Sequence, residues 1–201
     1  MLYFVNPCSP DVVKAMRNRQ LGFIDTPAQG NTRPDGVTWC ADNGCFSNRW
    51  KQDKWWRFLT RHTDHVGTCT FAVAPDVVAD AEATLERSLP WLPRIRALGY
   101  PVAYVGQDGQ DRVPVPWDEF DAFFVGGSTE WKLGPVARDL VAEAKERGKW
   151  AHMGRVNSMR RYDYARGIGC DSADGTYLTF GPTVNLPKVL KWIDPNRWST
   201  T

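Results

Sequence analysis

Eight short apolar runs, separated by stretches with helical periodicity or turn chemistry, are what most restricts the folds open to this chain. The runs cover residues 2–5, 21–24, 37–41, 69–73, 102–105, 122–125, 150–153 and 169–172. Helical patterns fall at 11–20, 52–66, 80–98, 136–147, 158–167 and 186–193, with a short one near 117–120. Residues 26–36 carry turn chemistry, and Pro90 and Pro93 break or kink the 80–98 helix. Eight strand–helix alternations predict an α/β protein of the (β/α)8 barrel type. Periodicity carries no signal of closure, so an open doubly wound sheet is the alternative. Such barrels take about 250 residues, and this chain has 201. The barrel must therefore be trimmed, with some helices short or irregular. The whole of 1–201 reads as one domain, without internal repeat or linker.

Composition excludes several classes. The apolar share of 42% and charged share of 24% are ordinary for a globular domain, which removes disordered, collagen-like and coiled-coil chains. No apolar run approaches the roughly 20 residues that cross a bilayer. The start, residues 1–7, has no basic region and reads as a first strand, not a signal peptide. The five cysteines are irregularly spaced and form no C-x-x-C pair, and His62 and His65 have no ligand partner at motif distance. No metal, no cofactor and a reducing cytoplasm are expected. The net charge of +2 means that nucleic-acid affinity would have to come from clustered cations. The 10 Trp are expected mainly to pack the core.

In a barrel of this kind the active site lies at the C-terminal ends of the strands. The polar residues just past each run are Asp42 and Asn43, Asp76, Gln107 and Asp108, Gly126 and Gly127, Gly154 and Arg155, then Asp171, Ser172 and Asp174. A lone Asp after a strand is commonly a cap or a turn former. Several Asp-bearing tips beside small residues are more specific, because a planar ligand can then approach the backbone closely.

These residues carry a resemblance. The run Trp39–Phe46 (WCADNGCF) is similar to the D-S-G-G-F motif of tRNA-guanine transglycosylases. Residues 71–76 (FAVAPD) resemble that family's strand bearing the second base-recognising Asp, and 104–107 (YVGQ) its V-Q-G strand. Residues 124–127 (FVGG) resemble its I-G-G segment. Residues 152–154 (HMG) with 165–171 (ARGIGCD) resemble its M-G…A-x-x-R-G-V-D-x-x-D region. The matches run in family order over about residues 37–175. The family's C-terminal C-x-C-x-x-C zinc subdomain has no counterpart here, and Asn43 and Cys45 depart from the first motif. The resemblance is therefore strongest to compact, phage-type 7-deazaguanine DNA transglycosylases.

That resemblance implies exchange of guanine in DNA for a free 7-deazaguanine base, such as 7-cyano-7-deazaguanine, through a covalent Asp–deoxyribose intermediate. It would place the protein in the cytoplasm, that of the host if phage-encoded. It assigns Asp171 as nucleophile and Asp42 as acid/base, with Asp174 a rival nucleophile and the roles of Asp42 and Asp171 open to exchange. Asp76, Gln107, Gly126 and Gly127 would hold the base. Phe46, Tyr3 and Trp131 are stacking candidates, against the commoner role of core packing. Cys45, Glu130 and His152 join the pocket without a role. Arg155, Arg160, Arg161 and Arg166, and Arg49, Lys51, Lys54 and Arg57, form the cation clusters that would contact DNA phosphates. The alternatives are a small tRNA-guanine transglycosylase, a nucleoside deoxyribosyltransferase, and a non-catalytic deazapurine- or DNA-binding module.

Overall fold

The computed structural model describes residues 1–47 and 50–198. Eight parallel strands close into a barrel in sequence order, with β1 (Leu2–Val5) paired to both β2 (Gly22–Asp25) and β8 (Ser172–Asp174). Between them run β3 (Trp39–Ala41), β4 (Cys69–Val73), β5 (Val102–Gly106), β6 (Ala122–Val125) and β7 (Trp150–Met153). Closure settles the architecture as a (β/α)8 barrel and removes the open sheet. The helices are α1 (Pro10–Arg17), α2 (Gln52–Arg61), α3 (Ala81–Ser88), α4 (Leu92–Ala97), α5 (Thr129–Lys132), α6 (Pro135–Glu146), α7 (Met159–Gly167) and α8 (Pro182–Ile193).

The expected trimming is concrete. Residues 26–38 join β2 to β3 with no helix, and the strands have only three to five residues. The long helix expected at 80–98 is two, separated around Pro90, with Pro93 in the first turn of α4. Helix α2 ends at Arg61, five residues before the expected limit at 66, and gives way to a 3-10 segment, Thr63–Thr68. Short α5 carries too little periodicity to read from sequence. The last strand is displaced from 169–172 to 172–174, and this moves the chemistry, as shown below.

Period-2 alternation builds two cores. Side chains facing into the barrel include Phe4, Ile24, Cys40, Phe71, Val105 and Ala122, while Tyr3, Phe23, Trp39, Tyr104, Phe123 and Met153 face the helices. Large and small residues share the interior. A Cβ at Gly22 would lie 2.4 Å from Phe4 Cδ1, so the Phe4 ring occupies the space a side chain would need. Phe71 is fully buried and packs edge-on against Phe4 at 6.0 Å and His152 at 5.0 Å between ring centroids. The Trp expectation holds for Trp39, Trp55, Trp91 and Trp192, all buried.

The turns that deliver the strand tips are held by helix caps. Ser9, Asp80, Ser128 and Ser158 each accept a bond from a first-turn N–H of the following helix. Among the described residues, no helix is long and apolar enough to cross a membrane.

Phe71→Ala should lower unfolding free energy by about 3–5 kcal/mol, because the closed interior cannot collapse onto the void. Urea denaturation at constant m-value measures it. A loss below about 1 kcal/mol would show that the interior rearranges freely.

Candidate active site

A cavity of about 410 Å³ opens at the C-terminal ends of the strands. Asp42, Asp76, Gln107, Gly126, Gly127 and Asp174 all line it, as do Phe46 and Arg155. The structure thus gathers most of the residues singled out in the sequence. Asp42 follows β3 directly, Gln107 follows β5, Gly126 and Gly127 follow β6, and Asp174 ends β8.

Asp171 is the correction. It precedes β8, at the N-terminal end of the barrel, away from the cavity. Strand alternation turns Ser172 and Asp174 inward and leaves Asp171 outside, where its Oδ2 pairs with Lys145 Nζ of α6 at 2.6 Å and accepts from Ala151 N at 2.7 Å. It fastens a helix to the barrel wall. Asp174, the rival, is the carboxylate at the mouth.

Asp76 is 7% exposed, yet both its oxygens are engaged. Oδ1 accepts from Asn43 Nδ2 at 2.8 Å, Oδ2 accepts from Gln107 Nε2 at 2.7 Å, and the Cys45 thiol bonds to the same carboxylate. Burial raises its pKa, and these three bonds oppose the rise by favouring the charged form. Gln107 Oε1 in turn accepts from Gly127 N at 2.7 Å and Ala79 N at 2.9 Å. Its own backbone N–H bonds to the carboxylate as well, so the roughly four positions at which a carboxylate accepts are engaged within the protein.

Gly127 has a reason to lack a side chain. Its φ is +66°, and a Cβ there would lie 2.6 Å from Trp131 Cε3 and 2.7 Å from Asp108 Oδ2. Asp108 holds this turn by accepting from Ser128 N at 2.7 Å and Ser128 Oγ at 2.6 Å.

Asp174 rests on a buried string that sequence reasoning missed. Trp150 Nε1 donates to Ser172 Oγ at 2.8 Å, Ser172 Oγ lies 2.8 Å from His152 Nδ1, and His152 Nε2 lies 3.0 Å from Asp174 Oδ1. An indole N–H can only donate. The ionised Asp174 carboxylate can only accept, so Nε2 carries a proton toward it, and in the neutral imidazole Nδ1 then accepts from the Ser172 hydroxyl while Ser172 Oγ accepts from Trp150. The second oxygen, Oδ2, meets the Arg155 N–H at a long 3.4 Å, and Asp174 lines the cavity. The partners are 20 or more residues apart in sequence, so no local motif announces them.

Burial pushes the Asp42 carboxyl up to about 7. The Gly44 N–H, which donates to its Oδ1 at 2.9 Å, opposes this, and the nearby charges of Asp174 and Asp76 add to it. Near neutral pH this group can hold or release a proton.

Arg155 carries a left-handed backbone, φ +59°, unusual for a residue with a side chain. Its guanidinium donates to the Gly127 carbonyl and lies 4.4 Å over the Phe46 ring. Phe46 is 63% exposed, so it is a rim residue and not part of the core. Tyr3 is core: its hydroxyl donates to the Val156 carbonyl at 2.6 Å. Arg160 and Arg161 sit in the first turn of α7, near the mouth, whereas Arg166 lies in its last turn, beside the amino terminus. Lys51 is exposed at the start of α2 and lines an adjoining cavity. Arg49 lies outside the described residues. Buried Lys132 is a further residue the sequence did not mark. Its Nζ donates to the Gly154 carbonyl at 2.7 Å and is pushed down to about 8 by burial and by Arg155.

No model of a known protein family matches the chain, and no curated protein matches it. Solved structures do. A chain of the Amycolatopsis orientalis BexX/CysO complex is similar over 94% of this chain and 86% of that one, at 17% identity and a TM-score of 0.62. An HpcH/HpaI aldolase from Desulfitobacterium hafniense DCB-2 is similar over 94% and 92%, at 10% identity and a TM-score of 0.50. At such identity these likenesses support the barrel fold alone.

The raised Asp42 proton affinity has a stability consequence. The folded protein holds this proton up to about pH 7, while the unfolded chain releases it near the ordinary value of 3.8. The proton's contribution to stability is therefore complete below 3.8 and is lost as pH rises to about 7. Asp42→Asn should leave the melting temperature almost unchanged near the bottom of that window. Its gain should grow with pH and level off above neutrality. Thermal melts of both proteins across this range test it; a difference independent of pH would mean that the carboxyl titrates as it does in water.

Proposed function

We propose that this barrel exchanges guanine in DNA for a 7-deazaguanine base, with Asp174 as nucleophile and Asp42 as acid/base. The observation that carries the reading is the convergence of Asp42, Asp76 and Asp174 on one cavity, beside Gln107 and a glycine pair. The order and spacing of the motifs in the sequence support it independently.

In the first step Asp174 Oδ2 attacks the anomeric carbon of the deoxyribose. The bond from that carbon to guanine breaks, its electron pair leaves with the base, and the base takes up the proton of Asp42. His152 Nε2–H stays bonded to Oδ1, which becomes the ester carbonyl. In the second step Asp42 takes the ring N–H proton of the incoming 7-deazaguanine. The nitrogen attacks the same carbon, and the ester bond breaks to regenerate the Asp174 carboxylate. Two displacements retain the configuration, as in a retaining glycosidase with a base in place of water. The groups suit these tasks: burial raises the Asp42 carboxyl to about 7, and Asp174, which lines the cavity, has one oxygen held by His152 and the other bonded only at long range. Asp76 and Gln107 would read the guanine-like edge by exchanging the bond they make with each other for bonds to the base, because a carboxylate can accept from a ring N–H and an exocyclic amine together. The target base must be flipped out or presented single-stranded.

The test is incubation of the protein with guanine-containing DNA and 7-cyano-7-deazaguanine, then digestion and mass spectrometry of the nucleosides. The deaza-nucleoside should form with wild type. Asp174→Asn and Asp42→Asn should each lower the rate by roughly 10³-fold or more, and Asp171→Asn should retain exchange. Loss in Asp171→Asn with retention in Asp174→Asn would reverse the nucleophile assignment. Parallel arms with tRNA and free deoxyguanosine decide the substrate, and product in none of the three would sink the enzymatic reading.

A further inference from the structure

A second cavity, of about 250 Å³, adjoins the carboxylate cavity. The two share Thr26, Ala28, Asn43, Gly44 and Ser47 in their walls, so they lie side by side. The second is completed by Trp50, Lys51, Lys54 and Trp55. None of the described residues that line it is a carboxylate, whereas the first cavity holds three.

The polar groups here are unusual in being unused. Thr26 Oγ1, Trp50 Nε1 and Trp55 Nε1 are buried atoms without a hydrogen-bond partner among the described residues. Trp55 is fully buried and Thr26 is 9% exposed. Buried donors are almost always satisfied, so three unsatisfied ones on residues that line one cavity leave room for an acceptor there. Helix α2, ten residues long, begins at the same place, and its N-cap residue Lys51 makes no side-chain capping bond. The first-turn N–H groups are thus another set of donors, at the positive end of the helix. Lys51 and Lys54 add two exposed cations. The one acid of that first turn, Asp53, is turned to Arg57, with 2.6 Å between Oδ2 and Nη2. Indoles, a hydroxyl that can donate, helix N–H groups and ammonium groups together match a ligand that only accepts and carries negative charge.

We infer that this second cavity is a phosphate site, and that its phosphate belongs to the polynucleotide strand carrying the target base. The assignment to a strand rests on the base-exchange reading; the phosphate site does not. Charge argues for the strand. A phosphate cannot sit among three carboxylates, so a nucleotide with its base and sugar in the first cavity must place its phosphate outside it. The shared wall leads to the neighbouring cavity, which has cations and free donors. Arg160 and Arg161 stand on the α7 side of the same mouth, so a strand crossing it would meet positive charge on both sides.

Indole N–H resonances of the 15N-labelled full chain give the test, with Trp50 and Trp55 assigned through Trp50→Phe and Trp55→Phe. Inorganic phosphate should move both signals, a thymidine-only single-stranded oligonucleotide should move the same two at far lower concentration, and deoxyguanosine should move neither. Lys51→Ala/Lys54→Ala removes two exposed cations without touching the core. It should weaken oligonucleotide binding and make the slope of log affinity against log salt shallower by about 1.4. Indole signals unmoved by phosphate and oligonucleotide, or affinity and slope unchanged in the double variant, overturn the phosphate site. An oligonucleotide binding no more tightly than deoxyguanosine 5′-monophosphate overturns the strand assignment. The readout is binding, so indole shifts in a protein that exchanges no base would remove the exchange reading and leave the phosphate site standing.

Discussion

The buried carboxylate of Asp76 ties the mouth of the barrel together. Asn43 reaches it from the turn after β3 and Gln107 from the end of β5. Gln107 passes the connection to Gly127 after β6 and to Ala79 before α3. Arg87 of α3 closes the ring by donating to the Asp76 backbone carbonyl at 2.8 Å. Four loops that would otherwise move independently are referenced to one charge. The arrangement is costly to bury and strong once satisfied, which is the condition under which a polar network fixes geometry. The distance between Asp42 and the far wall of the cavity is set by that ring.

Beneath it, the barrel interior divides by depth. Below the carboxylates the filling is apolar and aromatic, with Phe4, Phe71 and Phe124 around the His152 ring and Phe124 reaching the cavity wall. Toward the mouth the layers become acidic. Burial raises the proton affinity of both Asp42, to about 7, and Asp76, where bonds from Asn43, Cys45, Gln107 and its own backbone N–H oppose the rise.

Much of this was legible in the sequence. The seven strands rich in aliphatic and aromatic residues declare themselves as short continuous apolar runs, and many of the polar residues at their tips land in the cavity. The eighth does not, because Ser172, Ala173 and Asp174 have neither bulk nor branching to mark a strand. The aliphatic signal of Ile168 just upstream pulls the expected strand too early, and a shift of that size carries an Asp from one end of the barrel to the other. The role of His152 was equally hidden, since it depends on Ser172 and Asp174 arriving across a parallel pair. The β2–β3 connection was correctly read as a loop from its Gly, Pro and Asn content, but its contribution of Thr26 to the cavity wall depends on contacts no pattern encodes.

The string from Trp150 to Asp174 also decides where protons can travel. A hydrogen-bonded file through a protein conducts only if every member can both accept and release a proton. Here the innermost member is an indole nitrogen, which has no lone pair to offer. The file is a dead end: charge on Asp174 can be steadied from below, but no proton can be drained or supplied through the barrel floor. Whatever protons the site exchanges must enter and leave at the open mouth, together with the ligands.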